Sequence, residues 1–267
     1  MVINYSNGDI FLKENSSFLD ENKYLSAFFY FDAPLLKEVN KNNYVLKVFS
    51  NNKKLLALKL EPFNLLIYGD KDCLKELLIY IKENDYEIKG IFTSEDLGNH
   101  FLTLSKDILK KEYKKSIGMD FMEAHEISEE SSKEVEFANE KDVSELYECL
   151  INFFIDCELP DRPDKEKILS NISTYRIIRK DNKIVSFARK SPETENSYRI
   201  SAVYTRPEYR NQKLARKVVN YLKNEVIKEG KIVTLNVDQN NPISYHLYTS
   251  LGFKKVFAQA IYVPIDL

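Results

Sequence analysis

The stretch Tyr198–Asp238 reads YRISAVYTRPEYRNQKLARKVVNYLKNEVIKEGKIVTLNVD and predicts a strand, a helix and a second strand in direct succession. β-Branched and aromatic residues favour strands over Tyr198–Thr205 and Ile232–Val237. A helix is predicted over Leu214–Glu229, and the glycine that follows it is the residue type that commonly ends one. Because a helical crossover joins two parallel strands, we expect both strands to lie in one sheet. Ligands of such sheets bind beyond the carboxyl ends of the strands, which is where the residues after Thr205 lie.

The connection between this first strand and the helix is polar and basic. Tyr209–Lys217 reads YRNQKLARK, where an ordinary loop would carry Gly, Pro or Asp. The first turn of a helix has unpaired backbone N–H groups and a partial positive charge, so it binds anions. The side chains of Arg210 and Lys213 would add charge, with Arg216 and Lys217 nearby. The pattern indicates a pyrophosphate site, although a surface helix that begins with basic residues would look the same.

The second half of the chain shows a clear order of elements. A polar, acidic segment, Ser128–Asp142, separates it from the first half, and Asn139 is a suitable N-cap for a helix over Glu140–Asp156. The sequences KDNK (Lys180–Lys183) and SPETEN (Ser191–Asn196) predict hairpin turns. The remaining predicted elements are strands at Val135–Phe137, Tyr175–Lys180, Ile184–Lys190 and Lys254–Val263, and helices at Asp164–Ile172 and Pro242–Leu251.

The first half of the chain predicts a second strand–helix–strand unit. Its helix, Lys71–Glu83, is indicated by leucines and an isoleucine spaced three and four apart, which share one helix face. The junction YGDKDC (Tyr68–Cys73) carries two aspartates, so it is a poor pyrophosphate site. KKEYKK (Lys110–Lys115) predicts an exposed helix end, and residues 1–42 are compatible with either helix or strand. The other predicted elements are strands at Tyr44–Ser50, Lys54–Leu60, Asn64–Tyr68 and Tyr86–Ile91, and a helix from Ser94 to Lys111.

Length and the change of composition predict two domains. The chain has 267 residues, which suits two units of ordinary size or one large one. We place the boundary at the start of the acidic segment, giving an N-terminal α/β lobe over 1–129 and a second domain over 130–267. The predicted fold class is α/β (α+β), with a mixed central sheet in the C-terminal lobe.

Composition argues against several classes of function. Lys and Arg (39) nearly balance Asp and Glu (41), so no global field favours nucleic acid or an anionic membrane. The apolar runs are too short to span a bilayer, and the N-terminus does not resemble a signal peptide. Three cysteines and three histidines without metal-ligand spacing predict no metal site. We expect a cytoplasmic protein; the oligomeric state is open.

The order of motifs in the second half resembles the GNAT superfamily of N-acetyltransferases. The phosphate loop of that family reads Arg/Gln-x-x-Gly-x-Gly/Ala, and Arg210 and Ala215 match its first and last positions. The sequence NPISYHLYTSLGF, with Asn241 and Tyr248 seven residues apart, resembles the second motif of the family. The resemblance covers about the last half of the chain, and the first half resembles in outline a degenerate, non-catalytic lobe of two-lobed members.

The resemblance implies a set of residues that bind acetyl-CoA. Backbone groups of the first strand would pair with the pantetheine arm, and amides at the helix start would bind the pyrophosphate. The Asn241 side chain would bond the arm near its thiol, although an Asn before Pro242 is equally suited to cap a helix. The residues implied for the cofactor are Val203, Tyr204, Thr205, Arg210, Asn211, Gln212, Lys213, Leu214, Ala215 and Asn241.

One residue of the loop departs from the pattern of the family. Lys213 stands where the family usually has Gly, which lets backbone approach phosphate closely. Because lysine tolerates helical φ and ψ, we expect the turn to form with Lys213 in a helical conformation. Its side chain would then either point away or reach the phosphate as a point charge.

Tyr248 is the candidate catalytic residue implied by the resemblance. A phenol near the thioester can protonate the leaving thiolate, whereas a packed aromatic on an apolar helix face is the alternative. The general base is open: a water chain or one of the carboxylates of Asp238, Asp156 and Glu158 could accept the amine proton, and each carboxylate is better explained as a surface residue.

The expected function is transfer of an acetyl group from acetyl-CoA to a primary amine. The acceptor would be a small molecule or a peptide, attacked directly and without a metal. Two alternatives stay open, namely an acyl-CoA-binding pseudoenzyme or sensor without turnover, and an α/β protein with no CoA site.

Overall fold

A computed structural model gives the structure of the chain and describes residues 1–128, 132–157 and 162–265. The first half contains six strands and four helices in these ranges. They are β1 (Val2–Asn4), α1 (Gly8–Leu19), α2 (Lys23–Asp32), β2 (Tyr44–Ser50), β3 (Lys53–Lys59), β4 (Leu65–Gly69), α3 (Leu74–Glu83), β5 (Ile91–Ser94), α4 (Glu95–Leu109) and β6 (Tyr113–Ala124).

The second half of the described chain contributes six further strands and four helices. They are β7 (Glu136–Phe137), α5 (Val143–Asp156), α6 (Lys165–Ser170), β8 (Tyr175–Lys180), β9 (Lys183–Thr194), β10 (Ser197–Thr205), α7 (Leu214–Lys228), β11 (Ile232–Asp238), α8 (Pro242–Ser250) and β12 (Lys254–Pro264). The chain is therefore a mixed α/β protein, as predicted.

The chain divides into two compact units. Unit 1 comprises Met1–Asp120, Asp238–Asn240 and Phe257–Leu267, and unit 2 comprises Phe121–Val237 and Asn241–Val256. The two units are defined by contacts and not by independent folding. The predicted domains, 1–129 and 130–267, therefore stay a prediction. The last strand of the chain contributes most of its length to unit 1.

Unit 1 is a sheet with helices on both faces. Its strands lie in the order β1-β2-β3-β4-β5-β12, with β4 and β5 parallel and the other pairs antiparallel. Alternate residues of β2 point to opposite faces, so that Tyr44 packs with α3 and α4 while Val45 packs with α1 and α2. The two apolar clusters on these faces form the core of unit 1.

Unit 2 has the same layered plan. Its strands lie in the order β11-β10-β9-β8-β7, with β10 and β11 parallel and the other pairs antiparallel. Helices α7 and α8 cover one face through Val218, Leu222 and Tyr248, and α5 and α6 cover the other through Leu146 and Ile168. This topology places the carboxyl ends of β10 and β11 on the same side of the sheet as the start of α7.

Most predicted elements are present, and their ends agree with the predicted signals. Asn139 makes the predicted cap, its side chain accepting from the backbone N–H of Lys141. Gly230 and Gly252 have φ of 74° and 86° after α7 and α8, the left-handed conformation that suits glycine at a helix end. Asp181 and Asn182 are left-handed too, as the tight β8–β9 turn requires.

Three predicted elements are wrong in position. The strand predicted at Tyr86–Ile91 begins only at Ile91, because Tyr86 N–H donates to Ile81 O and Glu87 N–H to Lys41 O instead of joining a ladder. The helix predicted to Lys111 ends at Leu109, and Tyr113 begins β6, so KKEYKK is not an exposed helix end. SPETEN is not all turn, since β9 continues to Thr194.

Residues 1–42, which the pattern left open, form β1, α1 and α2, and YLSAFFYF lies in α2. No helix in the described ranges is long and apolar enough to cross a membrane. Within the same ranges, His, Cys, Asp and Glu form no cluster of three suited to a metal ion.

Candidate functional site

The two parallel strands of unit 2 separate towards their carboxyl ends. β10 and β11 pair at three positions, Ser197–Ile232, Tyr198–Val233 and Arg199–Thr234, and the pairing stops there. β10 nevertheless continues to Thr205 and β11 to Asp238. The facing edges beyond Arg199 are therefore backbone edges that can pair with an extended ligand.

A bulge in β10 lies beside this gap. The register with β9 shifts between Ser201 and Tyr204, and Ala202 has a φ of 50°. Such a conformation is uncommon for alanine and marks a bulge that bends the strand. Ser186 on β9 holds the end of the bulged segment, since its hydroxyl lies 3.0 Å from Tyr204 O and 2.9 Å from Thr205 Oγ1.

The loop after β10 turns sharply twice before α7 begins. Pro207–Tyr209 is a 3-10 turn, and Asn211 and Lys213 have φ of 63° and 57°. The first i to i−4 bond of α7 runs from Lys217 N–H to Lys213 O at 3.1 Å. The N–H groups of the preceding residues therefore have no partner within the helix, as expected at an N-terminus.

The conformation of Lys213 differs from the prediction. Its φ of 57° and ψ of 19° are left-handed, not helical. A left-handed residue other than Gly, Asn or Asp costs about 1–2 kcal/mol. The loop therefore keeps the backbone shape that glycine would give, at a cost in stability.

Positive charge dominates around the start of α7. The first turn of α7 contains no acidic residue. The side chain of Lys213 makes no hydrogen bond or ion pair in the described parts of the chain, whereas other cations near the start of α7 have partners. Lys180 Nζ donates to Gln212 Oε1, Arg216 Nη1 to Ser250 Oγ and Lys217 Nζ to Glu134.

Arg210 is held by two contacts. Its Nε donates to Thr205 O at 3.1 Å, and its Nη2 donates to Asp156 Oδ2 at 2.5 Å. Both side chains of the ion pair are about half exposed, at 48% and 43%. Exposed pairs of this kind contribute only about 0–1 kcal/mol, so an anion can compete for the guanidinium.

Asn241 caps the next helix. Its Oδ1 accepts from Ser244 N–H at 2.9 Å, which is the capping geometry of the alternative interpretation. The side chain is exposed, and its Nδ2 group has no partner among the described residues. The cap therefore uses the oxygen and leaves two N–H donors for a ligand.

Tyr248 lies in the core of unit 2, on α8. It is 6% exposed, and its ring meets Phe253 at 6.0 Å between centroids. Burial raises the pKa of the Tyr248 phenol, and the neighbouring Cys157 thiol raises it further, while a hydrogen bond with Ser244 lowers it. The phenol is therefore protonated at neutral pH.

Both described candidate bases accept hydrogen bonds. Asp156 pairs with Arg210, and Asp238 Oδ1 accepts from Asn240 N–H at 2.8 Å in unit 1. Glu158 lies outside the described residues. Sequence reasoning missed the Arg210 partner and Ser186, because neither contact has a local pattern in the sequence.

Except for Asn241, which caps α8, the predicted cofactor residues fall into one stretch of the chain, from Val203 to Ala215. Val203, Tyr204 and Thr205 form the end of β10, and residues 210–215 form the loop and the first turn of α7. Helix N–H groups and basic side chains are the hydrogen-bond donors here, and the first turn of α7 contains no carboxylate. Such donors suit the negative charge of a diphosphate. The separated strand edges fit an extended amide-bearing chain, so the residues present suit acetyl-CoA.

Comparisons with known proteins agree with this geometry. Residues 142–253 match the sequence model of the acetyltransferase (GNAT) family. A comparison with curated proteins found no significant match.

Solved structures with the same fold align with most of the chain. A GNAT-family acetyltransferase from Colwellia psychrerythraea is 12% identical, with 100% of both chains covered and a TM-score of 0.64. A GCN5-related N-acetyltransferase from Sphaerobacter thermophilus is 15% identical, with 85% of this chain and 83% of that chain covered and a TM-score of 0.61. One from Kribbella flavida is 12% identical, with 83% and 90% covered and a TM-score of 0.55.

At these identities the solved structures show the fold, and the match of 142–253 shows the family of the region that holds the site. The chain thus has the GNAT fold and carries, in its second half, an acetyltransferase (GNAT) family domain.

Proposed function

We propose that the protein is an N-acetyltransferase that moves an acetyl group from acetyl-CoA to a primary amine of a small molecule or a peptide. The observation that carries this proposal is the separation of β10 and β11 beyond the Arg199–Thr234 pair. The chain continues from the end of β10 to the start of α7, whose first turn contains no acidic residue. A strand edge and a helix N-terminus in that order suit a donor with an extended arm and a diphosphate.

The proposal assigns the donor to residues of β10, the following loop and α8. Backbone groups of Val203, Tyr204 and Thr205 offer a strand edge for the pantetheine arm. N–H groups from Asn211 to Ala215, with the side chains of Arg210 and Lys213, would bind the diphosphate. The Nδ2 group of Asn241 would donate to the arm.

The proposed reaction is direct attack. The amine nitrogen bonds to the thioester carbonyl carbon, the carbon–sulfur bond breaks, and the sulfur leaves as a thiolate that takes up a proton. The Tyr248 phenol would supply that proton, since burial keeps it protonated at neutral pH. The proton that the amine loses would pass to water, because the two described candidate carboxylates are engaged.

One observation favours a second candidate, a protein that binds acyl-CoA without turnover. Tyr248 is buried against Phe253 and bonded to Ser244, which suits a packing role as well as a proton donor. An assay for released thiol separates the two functions. Acetyl-CoA is mixed with a panel of amino acids, polyamines, aminoglycosides and peptides, and calorimetry measures acetyl-CoA binding in parallel.

The first prediction concerns Tyr248→Phe in this assay. We expect turnover to fall about 10²–10⁴-fold while acetyl-CoA affinity stays within a factor of two, because only the acid is lost. Tyr245→Phe is the control, since Tyr245 lies on the same helix and is more exposed. Equal turnover of wild type and Tyr248→Phe with an active acceptor would assign Tyr248 to packing, and binding without thiol release from any amine would favour the sensor.

A further inference from the structure

A row of polar side chains crosses three neighbouring strands of unit 2. Arg189 of β9 is directly opposed to Tyr175 of β8 on one side and to Ser201 of β10 on the other. Directly opposed residues share one face of a sheet, and Tyr175 packs in the cluster that contains α5 and α6. The three side chains, which we call the Arg189 row, therefore lie on the face of α5 and α6.

The guanidinium group of Arg189 lacks a partner in the described parts of the chain. It makes no hydrogen bond or ion pair there, and its Nε atom is buried without an acceptor. Its Cζ atom lies 5.9 Å from the centre of the Tyr175 ring, a contact that positions the group but accepts no conventional hydrogen bond. The side chain as a whole is only half-buried, so a ligand can reach it. Because a partly buried charge without a partner is costly, an anionic ligand would supply what the protein lacks.

The carboxylate of Glu193, on the same strand, is already used. Its side chain is 2% exposed, and its Oε1 accepts from Arg199 Nε at 2.7 Å. Its Oε2 accepts from Thr234 Oγ1 at 2.5 Å. Arg199 therefore has a counter-charge within the sheet, whereas Arg189 has none among the described residues.

The Arg189 row ends beside the place where the proposed function puts the reaction. With the diphosphate at the start of α7 and the pantetheine arm along residues 203–205, the thioester end of the arm would lie towards the bulge at Ala202 and its neighbour Ser201. Ile200 packs in the cluster that contains α7 and α8, so that face of β10 is filled at this point. An acceptor would therefore approach from the face that carries Arg189.

We infer that Arg189 binds a carboxylate of the acceptor, so that the preferred substrates are amines that also carry a carboxylate; the inference rests on the proposed function. The planar guanidinium presents paired N–H donors that match the two oxygens of a carboxylate. The hydroxyl of Ser201, which makes no side-chain hydrogen bond in the described parts of the chain, can donate to the same group. Free amino acids and acidic peptides share this chemistry, whereas polyamines and aminoglycosides would place positive charge against Arg189.

Matched pairs of acceptors test this inference, because the two members of each pair differ only in a carboxylate and its amide. Thiol release from acetyl-CoA is measured with alanine, β-alanine and 4-aminobutyrate, each against its amide, and with the C-terminally amidated dipeptides Ala-Glu and Ala-Gln. We expect at least one acid to exceed its amide at least tenfold in kcat/KM, chiefly through a lower KM. A preference confined to the dipeptides would identify a peptide as the source of the carboxylate.

Variants of Arg189 assign this preference to the residue. Arg189→Gln should abolish the preference for acid over amide, while acetyl-CoA affinity and kcat/KM with the amides stay within a factor of two. Arg189→Lys should keep part of the preference, because it keeps the charge but loses the paired donors. Lys183→Gln removes a positive charge at the exposed start of the same strand and should keep the preference in full.

Binding is measured without turnover by NMR of the arginine Nε–H signals in full-length wild type with CoA, the Arg189 signal being the one missing from Arg189→Lys. The acids should shift this signal with saturation, and the amides should not. Saturating shifts without thiol release would reject the transferase but keep the carboxylate site. Thiol release or binding with acids and amides alike would overturn the inference and leave the transferase standing. An acid preference unchanged in Arg189→Gln, or no shift with any acid, would overturn the inference as well.

Discussion

Arg210 and Lys213 occupy the same loop but are held in different ways. Asp156 and a backbone carbonyl fix Arg210, whereas Lys213 has an uncommon backbone conformation and an unpaired side chain in the described chain. Substitution of Arg210 therefore tests the charge of the proposed anion site, and substitution of Lys213 tests its backbone shape.

Arg210→Glu should weaken acetyl-CoA binding at least tenfold, or about 1.4 kcal/mol, because it reverses a charge beside the diphosphate. Asp156→Asn should act in the opposite direction and tighten binding up to about fivefold, since it frees the guanidinium from an exposed ion pair. Calorimetry measures both.

Lys228→Glu makes the same charge change as Arg210→Glu at the far end of α7 and should leave affinity nearly unchanged. Equal losses in Arg210→Glu and Lys228→Glu would show a general charge effect, and the local anion site would then be rejected.

Lys213→Gly should stabilise the protein by about 0.5–1 kcal/mol. Glycine removes the left-handed penalty of about 1–2 kcal/mol but loses more entropy on folding, which offsets part of the gain. Thermal unfolding measures the change, and acetyl-CoA binding should be retained. Gln212→Gly is the control, because Gln212 has no positive φ and should be destabilised. A loss of stability in Lys213→Gly would show that the lysine side chain holds the loop.

At the scale of elements, α7 is tied to the sheet by a buried ionic cluster. Glu225 on α7 accepts from Arg176 of β8 at 2.8 and 2.6 Å, and Lys190 of β9 lies 2.6 Å away. Arg176 is only 2% exposed, so its charge depends on this partner. Burial opposes ionisation of Glu225, but the bonds from Arg176 and Lys190 outweigh it and lower its pKa. The cluster fixes the helix whose start forms the proposed anion site.

Glu225→Gln should destabilise the protein by about 3 kcal/mol at pH 7, because it leaves Arg176 buried without a counter-charge. The folded pKa of Glu225 lies below its unfolded value, so its contribution is present above about pH 4.3 and is lost as the pH falls through the folded pKa. The difference between wild type and variant should therefore shrink in acid.

Urea unfolding at pH 7 and at acid pH measures this difference. Glu229→Gln removes a more exposed partner of Lys190 and should cost no more than about 1 kcal/mol. A pH-independent difference between wild type and Glu225→Gln would contradict the assignment.

At the scale of the whole molecule, unit 1 is completed by the end of the chain. β12 pairs with β5 through Gln259–Ser94 to Tyr262–Ile91. Tyr262 is fully buried, and its ring packs against Gly98 of α4 so closely that a Cβ there would lie 2.0 Å from a ring carbon. Residues 1–129 taken alone would lack this strand.

Gly98→Ala should therefore destabilise unit 1 by about 1–3 kcal/mol, the usual cost of overpacking. Hydrogen exchange measured by mass spectrometry should show faster exchange in α4 and β5. Tyr262→Leu removes the ring, so the double variant should be less destabilised than the sum of the single variants. Strict additivity would mean that the contact between Gly98 and Tyr262 does not limit the packing.

The sequence alone determined the strand–helix–strand units, the helix ends at Gly230 and Gly252, and the basic loop before α7. These features depend on local patterns, such as side-chain spacing, capping residues and turn residues, which neighbouring residues fix by themselves. Local patterns did not predict the polar first half of β6, and they placed the start of β5 at Tyr86 instead of Ile91. Partners distant in the chain decide where these two strands pair.

Only the tertiary structure decided where β10 and β11 separate, that Ala202 bulges, that Asp156 holds Arg210 and that Tyr248 is buried. Each of these depends on contacts between residues far apart in the chain, whose geometry no local spacing encodes. The left-handed Lys213 shows the same limit, since the surrounding loop imposes a conformation that lysine by itself disfavours.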